Sequence, residues 1–224
     1  IAAVAGRLDA APDDSILEIG CGWGHLSGTL AREHGLKVTG ISLSDEQTAW
    51  ARAHHPEAQF LIQDYRDVDG QYDAIASVEM VEAVGQKYWP DFLDCIARNL
   101  KPGGRAALQY ISIADDIFED YAASADFIQT YIFPGGMLLS ESRFRALAEA
   151  RGLRWTDQTN FGADYAQTLK LWRERFDAVV ERGALPAGFD EKFVRLWRYY
   201  LTYCEGGFRG GGIDVGQVTM IREA

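Results

Sequence analysis

Short apolar or β-branched runs alternate with segments of helical period along the first half of the chain. The runs Ser15–Gly20, Lys37–Ser42, Gln59–Gln63, Ala74–Glu79 and Arg105–Ile113 are bounded by turn or polar residues and predict strands. Between them, Gly24–His34, Asp45–His54 and Trp89–Leu100 predict helices, and Lys101-Pro102-Gly103-Gly104 reads as a helix stop followed by a turn. Strand–helix alternation implies right-handed crossovers and a parallel sheet, an α/β fold. After Ile113 the rhythm changes. Residues 114–145 read as one long connection carrying Phe127, Tyr131, Ile132 and Phe133, and connections of that length are usually lids or binding loops. Two further strands, Arg154–Asn160 and Gly216–Ile221, flank two amphipathic helices. One helix carries Leu169, Trp172, Phe176 and Val179, and the other Phe193, Leu196, Trp197, Tyr200, Leu201 and Cys204. Core packing accounts for both stripes, and their Trp and Tyr content also suits a wall around a long apolar ligand.

Composition narrows the partners. The 224 residues carry 22 basic and 33 acidic side chains, a net charge of −11. That length suits one large domain with a real core. The acidity and the lack of Lys/Arg runs exclude a nucleic-acid binder. An anionic membrane would repel the molecule as a whole, leaving peripheral contact to a local patch. Cys21, Cys95 and Cys204 are an odd, widely spaced set, so neither a disulfide framework nor a metal site is expected. Cys95 and Cys204 fall on apolar helix positions and read as buried thiols in a reducing, cytoplasmic setting. No apolar run is long enough to span a bilayer and no signal peptide is visible. The chain begins at Ile1 and enters structure at once, so a missing N-terminal segment is expected.

The segment Ile16-Leu17-Glu18-Ile19-Gly20-Cys21-Gly22-Trp23-Gly24 ends a strand in a glycine-rich turn and opens a helix, where glycines let backbone approach a nucleotide. A nicotinamide fingerprint wants G-x-G-x-x-G and an acidic residue at the tip of the next strand. Here His25 stands where the third glycine would be, and the next strand ends Gly40-Ile41-Ser42-Leu43-Ser44 without a carboxylate. An NAD-dependent oxidoreductase is therefore the weakest reading. A turn cradling S-adenosylmethionine is favoured, with Glu18 suited to its cationic methionine end.

Further segments carry a resemblance over nearly the whole chain, from Ile16 to about Arg222. They are GCGWG at Gly20–Gly24, VTGISLSDEQ at Val38–Gln47, QDYRD at Gln63–Asp67, NLKPGG at Asn99–Gly104, YIFPGG at Tyr131–Gly136, NFGADYAQTLKLWRERF at Asn160–Phe176 and YLTYCEGGFR at Tyr200–Arg209. The sequence resembles the cyclopropane-fatty-acid synthase family of S-adenosylmethionine-dependent methyltransferases, which includes the mycolic acid cyclopropane synthases. The resemblance implies a Rossmann-like class I methyltransferase fold with a seven-stranded, mostly parallel sheet and helical lid insertions. It implies a single domain over 1–224, with a cofactor-binding half at 1–113 and lid and pocket insertions at 114–215, before the closing strands to 224.

By the same resemblance, Gly20, Cys21, Gly22 and Gly24 with Glu18 would hold the methionine part of the cofactor. Ser42, Ser44 and Gln47 would meet the ribose, and Asp64, Tyr65 and Arg66 would lie along the adenine. The family's pocket holds a bicarbonate as base, through a Glu, a His, a backbone amide, a Tyr and an upstream Cys. Here the Glu matches Glu82, the Tyr matches Tyr165 and the amide matches Ile111. The His position holds Gln109, the His of the family's E-H-V-G is Ala83, and the Cys would precede Ile1. A family glycine three residues before the Glu is Glu79. All four histidines, His25, His34, His54 and His55, lie in the first quarter, so a histidine base is improbable. If Glu79 and Glu82 share one site, their repulsion should raise one pKa toward neutrality. Glu79 would then take over part of the proton abstraction done by bicarbonate in relatives. The alternative is a structural Glu79 that binds a cofactor hydroxyl or an Arg.

The activity implied is methyl transfer to the double bond of an unsaturated phospholipid acyl chain, with a carbocation that closes to a cyclopropane. Phe127, Tyr131, Phe133, Tyr165, Trp172 and Tyr200 are expected to line the apolar pocket. Gln109 and Ala83 leave open a methyl-branched or methylidene product and a small-molecule C- or N-methyltransferase, because some alkaloid N-methyltransferases look similar around Ser77-Val78-Glu79-Met80. A cofactor-binding protein with a lapsed active site is the non-enzyme alternative. A homodimer and a peripheral position at the inner membrane face stay among the open alternatives.

Overall fold

A computed structural model describes residues 1–223 of the chain, and Ala224, the last residue of the expected domain, lies outside them. Helix α1 (Ala2–Leu8) leads into strand β1 (Ser15–Ile19). Then come α2 (His25–His34), β2 (Lys37–Ser42), α3 (Asp45–His54), β3 (Gln59–Ile62), β4 (Tyr72–Val78), α4 (Trp89–Asn99) and β5 (Leu100–Ile113). The second half contains α5 (Phe118–Ala123), α6 (Phe127–Tyr131), β6 (Leu139–Ser140), α7 (Glu141–Glu149), β7 (Leu153–Asn160), α8 (Gly162–Glu181), α9 (Glu191–Arg209) and β8 (Ile213–Arg222).

The sheet runs β3-β2-β1-β4-β5-β8-β7, with two-residue β6 pairing the end of β5 as an eighth strand. β1 to β5 are mutually parallel, and β8 runs antiparallel to both of its neighbours, β5 and β7. The strands of the centre are continuous apolar runs because helices cover both faces. On one face Trp89, Phe92, Leu93 and Ile96 of α4 pack with Phe144 of α7 over Leu17, Ile75 and Leu108. On the other, Val4 and Leu8 of α1 join Leu26 and Leu30 of α2 over Ile16, Val38 and Ala76. A separate cluster ties Ala166 and Leu169 of α8 to Leu201 and Phe208 of α9 and to Val215 of β8.

Three expectations change. The Lys101–Gly104 turn lies inside β5 as a bulge: Tyr72 pairs Leu100 but Ala74 already pairs Arg105, and α4 has ended at Asn99. The connection 114–145 is not one loop, since α5, α6, β6 and the start of α7 divide it. Cys204 is half-buried rather than buried, whereas Cys21 and Cys95 are buried.

Gly216 of β8 pairs directly with Tyr110 of β5, and a Cβ on it would stand 2.7 Å from the ring of that wholly buried tyrosine. Tyr110 is also held by donating its hydroxyl to Glu141 at 2.8 Å, so it cannot step aside freely. Gly216→Ala is expected to lower the unfolding free energy by about 1–3 kcal/mol, as overpacking does, measured by urea denaturation.

Candidate active site

Parallel strands bring their C-terminal ends to one edge of the sheet, and open α/β folds bind ligands there, beside the point where strand order reverses. In this chain that point lies between β1 and β4. The glycine turn follows β1, Ser42 ends β2, Asp64 follows β3, Glu79 and Glu82 follow β4, and Gln109 and Ile111 lie on β5. All the polar residues singled out on the first five strands therefore meet on this edge.

The glycine turn opens on a cavity of about 390 Å³ lined by Glu18, Gly20, Cys21, Gly22, His25 and Gln109, among others. Gly24 caps α2 with φ 82°, and a Cβ there would meet Ala51 and Phe60 at 2.8 Å, so only glycine lets the helix start this close to α3 and β3. Glu18 is buried beneath the turn and accepts a hydrogen bond from the Ser27 hydroxyl. Burial pushes its carboxyl up to about 7, and a cationic group in the cavity would draw it back to the ionised form. A buried acid facing a nucleotide-sized space beside a glycine turn fits S-adenosylmethionine.

The other expected cofactor residues are occupied locally. Ser44 caps α3 by accepting from Gln47 N–H at 3.2 Å, and the Ser42 hydroxyl donates to Gln47 Oε1 at 3.3 Å. Asp64 caps a short 3₁₀ turn and binds the Arg66 guanidinium at 2.6 Å, which holds its carboxyl below the usual range. Tyr65 packs edge-on against Phe92 of the core. These residues sit on the right edge, but none of them lines the 390 Å³ cavity.

A larger cavity of about 960 Å³ lies between β5, α8, α9 and the 117–138 segment. Its walls are mostly apolar, including Ile113, Ile132, Met137, Leu138, Leu169 and Phe208, and its polar residues include Glu79, Glu82 and Tyr165. Phe133 and Tyr200 line it. Phe127, Tyr131 and Trp172 do not. Phe127 packs edge-on against Tyr199, Tyr131 is 64% exposed, and Trp172, 45% exposed, stands edge-on to Tyr165. Helix amphipathicity marks an apolar face without saying which of its members meet a cavity. Met137 N–H donates to the Glu82 carbonyl at 2.7 Å, anchoring the lid beside the carboxylates. Cys204 also lines the cavity, with its thiol pushed up to about 12 by burial.

Glu79 has left-handed backbone at φ 50°, an uncommon conformation for a residue with a Cβ. Its N–H donates to the Gln109 carbonyl at 2.8 Å. Its carboxylate takes two donors: Gln109 Nε2 at 2.7 Å on Oε1 and the Tyr165 hydroxyl at 3.0 Å on Oε2. Burial and the adjacent carboxylate push the Tyr165 hydroxyl far above its ordinary value. Glu82 accepts the Ile111 N–H on Oε1, while its buried Oε2 has no partner. Burial pushes Glu82 up to about 7, and the nearby Glu79 charge contributes in the same direction as the smallest cause. The expected pair therefore shares one site, with burial rather than repulsion as the main influence on Glu82.

The bicarbonate expected from the resemblance does not fit this arrangement. Gln109 and Tyr165, which would hold it, both donate to Glu79, and the Ile111 amide is spent on Glu82. Two residues that the motifs did not bring forward also enter the site. Gln217 Nε2 donates to Gln109 Oε1 at 2.8 Å, and the Arg7 Nε donates to Gln217 Oε1 at 3.4 Å. No metal-binding cluster occurs among the described residues.

A family model described as mycolic acid cyclopropane synthetase matches residues 1–218. The chain is 42% identical over 217 residues to the tuberculostearic acid methyltransferase UfaA1 of Mycobacterium tuberculosis, covering 93% of this chain and 50% of that protein. It is 37% identical over 219 residues to the cyclopropane-fatty-acyl-phospholipid synthase of Escherichia coli K12, covering 96% and 55%. The chain thus spans about half the length of these relatives. The solved structure of the mycolic acid cyclopropane synthase CmaA1 complexed with SAH and CTAB superposes with a TM-score of 0.89 at 28% identity, over 98% of this chain and 81% of that one.

Glu82 supplies a test of the site's electrostatics. Its carboxyl rises from 4.5 unfolded to about 7 folded, so the folded state binds the extra proton between those values. Stability should then fall as pH rises through that window, by up to roughly 3 kcal/mol from this group. Thermal melts from pH 4 to 8 should show the fall, and Glu82→Gln should reduce it by about half, because Glu18 rises to about 7 as well and contributes in the same window.

Proposed function

Because the chain belongs to the mycolic acid cyclopropane synthetase family, we propose that it is the catalytic part of an S-adenosylmethionine-dependent methyltransferase acting on a double bond in an unsaturated phospholipid acyl chain. The observation that carries this reading is the join between the two cavities. Gln109 lines the smaller, Glu79 the larger, and their 2.7 Å hydrogen bond crosses the wall between them. Bound beside the glycine turn, S-adenosylmethionine supplies an electrophilic methyl group. The large apolar cavity accepts the acyl chain and excludes water from it. Phe133, Tyr165 and Tyr200 present aromatic rings, and Glu79 a carboxylate, to the positive charge that develops on the chain.

The same geometry bears on the product. Glu79 is the proton acceptor in the place that bicarbonate takes in relatives. Both of its oxygens already accept hydrogen bonds, which hold the carboxylate in one place while the cation forms. A hydride shift then moves the positive charge to the carbon that bears the new methyl. Loss of a methyl proton to Glu79 leaves a methylidene chain, which balances without a reductant, whereas a saturated branch would need one. The similarity to a tuberculostearic acid methyltransferase supports an outcome without a ring. The ring product first expected is the competing outcome. Contact with the membrane that holds the lipid is peripheral on this reading, since no helix among the described residues is long and apolar enough to cross it.

Incubation of the whole protein with S-adenosylmethionine and unsaturated phospholipid, followed by NMR of the lipid, should show vinylidene protons. Upfield ring protons would overturn the product assignment, and no incorporation would overturn the lipid substrate. Glu79→Gln should lower turnover by about a hundredfold, the usual scale of general-base loss, and added bicarbonate should not restore it.

A further inference from the structure

A line of side chains runs from the N-terminal helix to Glu79. Arg7 of α1 is only 8% exposed. Its guanidinium donates to the carbonyl and carboxylate of Asp157, to the Thr159 hydroxyl at 2.9 Å and, through Nε, to Gln217 Oε1. Asp157 sits at the irregularity of β7 between Thr156 and Thr159, with φ 51°, and there turns its carbonyl toward the arginine. Gln217 is buried on β8 and pairs in register with Gln109 on β5, so the two side chains share one face of the sheet. Gln217 Nε2 donates to Gln109 Oε1 at 2.8 Å, and Gln109 Nε2 donates to Glu79 Oε1 at 2.7 Å.

The direction of this line follows from its ends. A guanidinium only donates and a carboxylate only accepts, so the two amides between them have one self-consistent orientation. Turning Gln109 over would set its oxygen against Glu79 and its NH₂ against the NH₂ of Gln217. Aligned amides polarise one another in a buried site and aim their positive end at the carboxylate. Gln217 and Arg7 do not line the acyl cavity, and they reach Glu79 only through Gln109.

We propose that Gln217 and Arg7 are positioning residues that fix the Gln109 amide so that it donates to Glu79. This rests on the reading of Glu79 as proton acceptor. Gln217→Glu tests it with little loss of shape. The new carboxylate pairs with Arg7 but only accepts, so Gln109 must turn its NH₂ toward it and present its oxygen to Glu79. In the whole protein, kcat for lipid methylation should fall about tenfold, the scale of one hydrogen bond to a charged group. KM for both substrates should stay within about twofold and the melting temperature should not drop. With a CD₃-labelled methyl donor, the isotope effect on product formation should rise above that of the wild type, because the Gln109 oxygen pushes the Glu79 carboxylate out of position and proton removal becomes slower. A merely structural role would not move that isotope effect. If Gln217→Glu does not fold, Gln217→Met removes the donor at similar size and should raise the isotope effect likewise. An active wild type with an unchanged kcat and isotope effect in the variant overturns the positioning role alone. A wild type that transfers no methyl to lipid overturns the functional reading itself.

Discussion

The carboxylate of Glu79, held between the Tyr165 hydroxyl and the Gln109 amide, is the contact on which the site turns. It joins three parts of the fold. Glu79 comes from the end of β4, Gln109 from the middle of β5, and Tyr165 from the first turn of α8. It also stands where two cavities meet, one beside the glycine turn and one under the lid. A left-handed backbone at a residue with a Cβ costs on the order of 1–3 kcal/mol, and here it is offset by three hydrogen bonds, one from its own N–H and two to its carboxylate. The charge is thus placed at the end of a strand by local strain that the surrounding sheet holds in register.

The sheet makes that placement possible. Parallel pairing of β1, β2, β3, β4 and β5 brings every loop that carries a polar site residue to the same edge. The antiparallel β8 then inserts between β5 and β7 and sets Gln217 across from Gln109. The apolar cavity is built elsewhere, by α8, α9 and the 117–138 segment, so one edge of a rigid sheet meets a separately packed lid. Rigid positioning of the charged groups and an apolar, water-poor space beside them are what stabilising a cation on a hydrocarbon chain requires.

Much of this was legible from residues alone, and the limits have physical causes. Strands β1, β2, β4 and β5 stand out as apolar runs because the centre of a parallel sheet is buried on both faces, and β3, β7 and β8 by their bounding turn or polar residues. The glycine turn, Glu79, Glu82, Gln109, Ile111 and Tyr165 were visible as motif positions, and the structure brings them to one edge. Helix α7, whose start falls inside what reads as a long connection, has only a short stripe of Phe144 and Ala148, which is weak by itself. Phe127 and Tyr131 read as pocket residues because they lie in a long connection of the kind that forms lids, and Trp172 because an aromatic on an amphipathic helix looks alike whether it meets a cavity or not. Arg7 and Gln217 carried no signal, because they are 210 residues apart and meet only through sheet register. The residues expected to meet the ribose and adenine lie on the sheet edge with their side chains engaged as caps, hydrogen bonds and an ion pair, which no spacing rule reveals.

On this reading a protein carboxylate fills the position in which relatives are expected to hold bicarbonate. The most direct measurement is a crystal structure of the protein grown with saturating bicarbonate and S-adenosylhomocysteine. The Glu79 carboxylate is expected between Tyr165 and Gln109, with no bicarbonate beside Glu82. A bicarbonate bound to Tyr165 and the Ile111 amide, with Glu79 turned away, would contradict it.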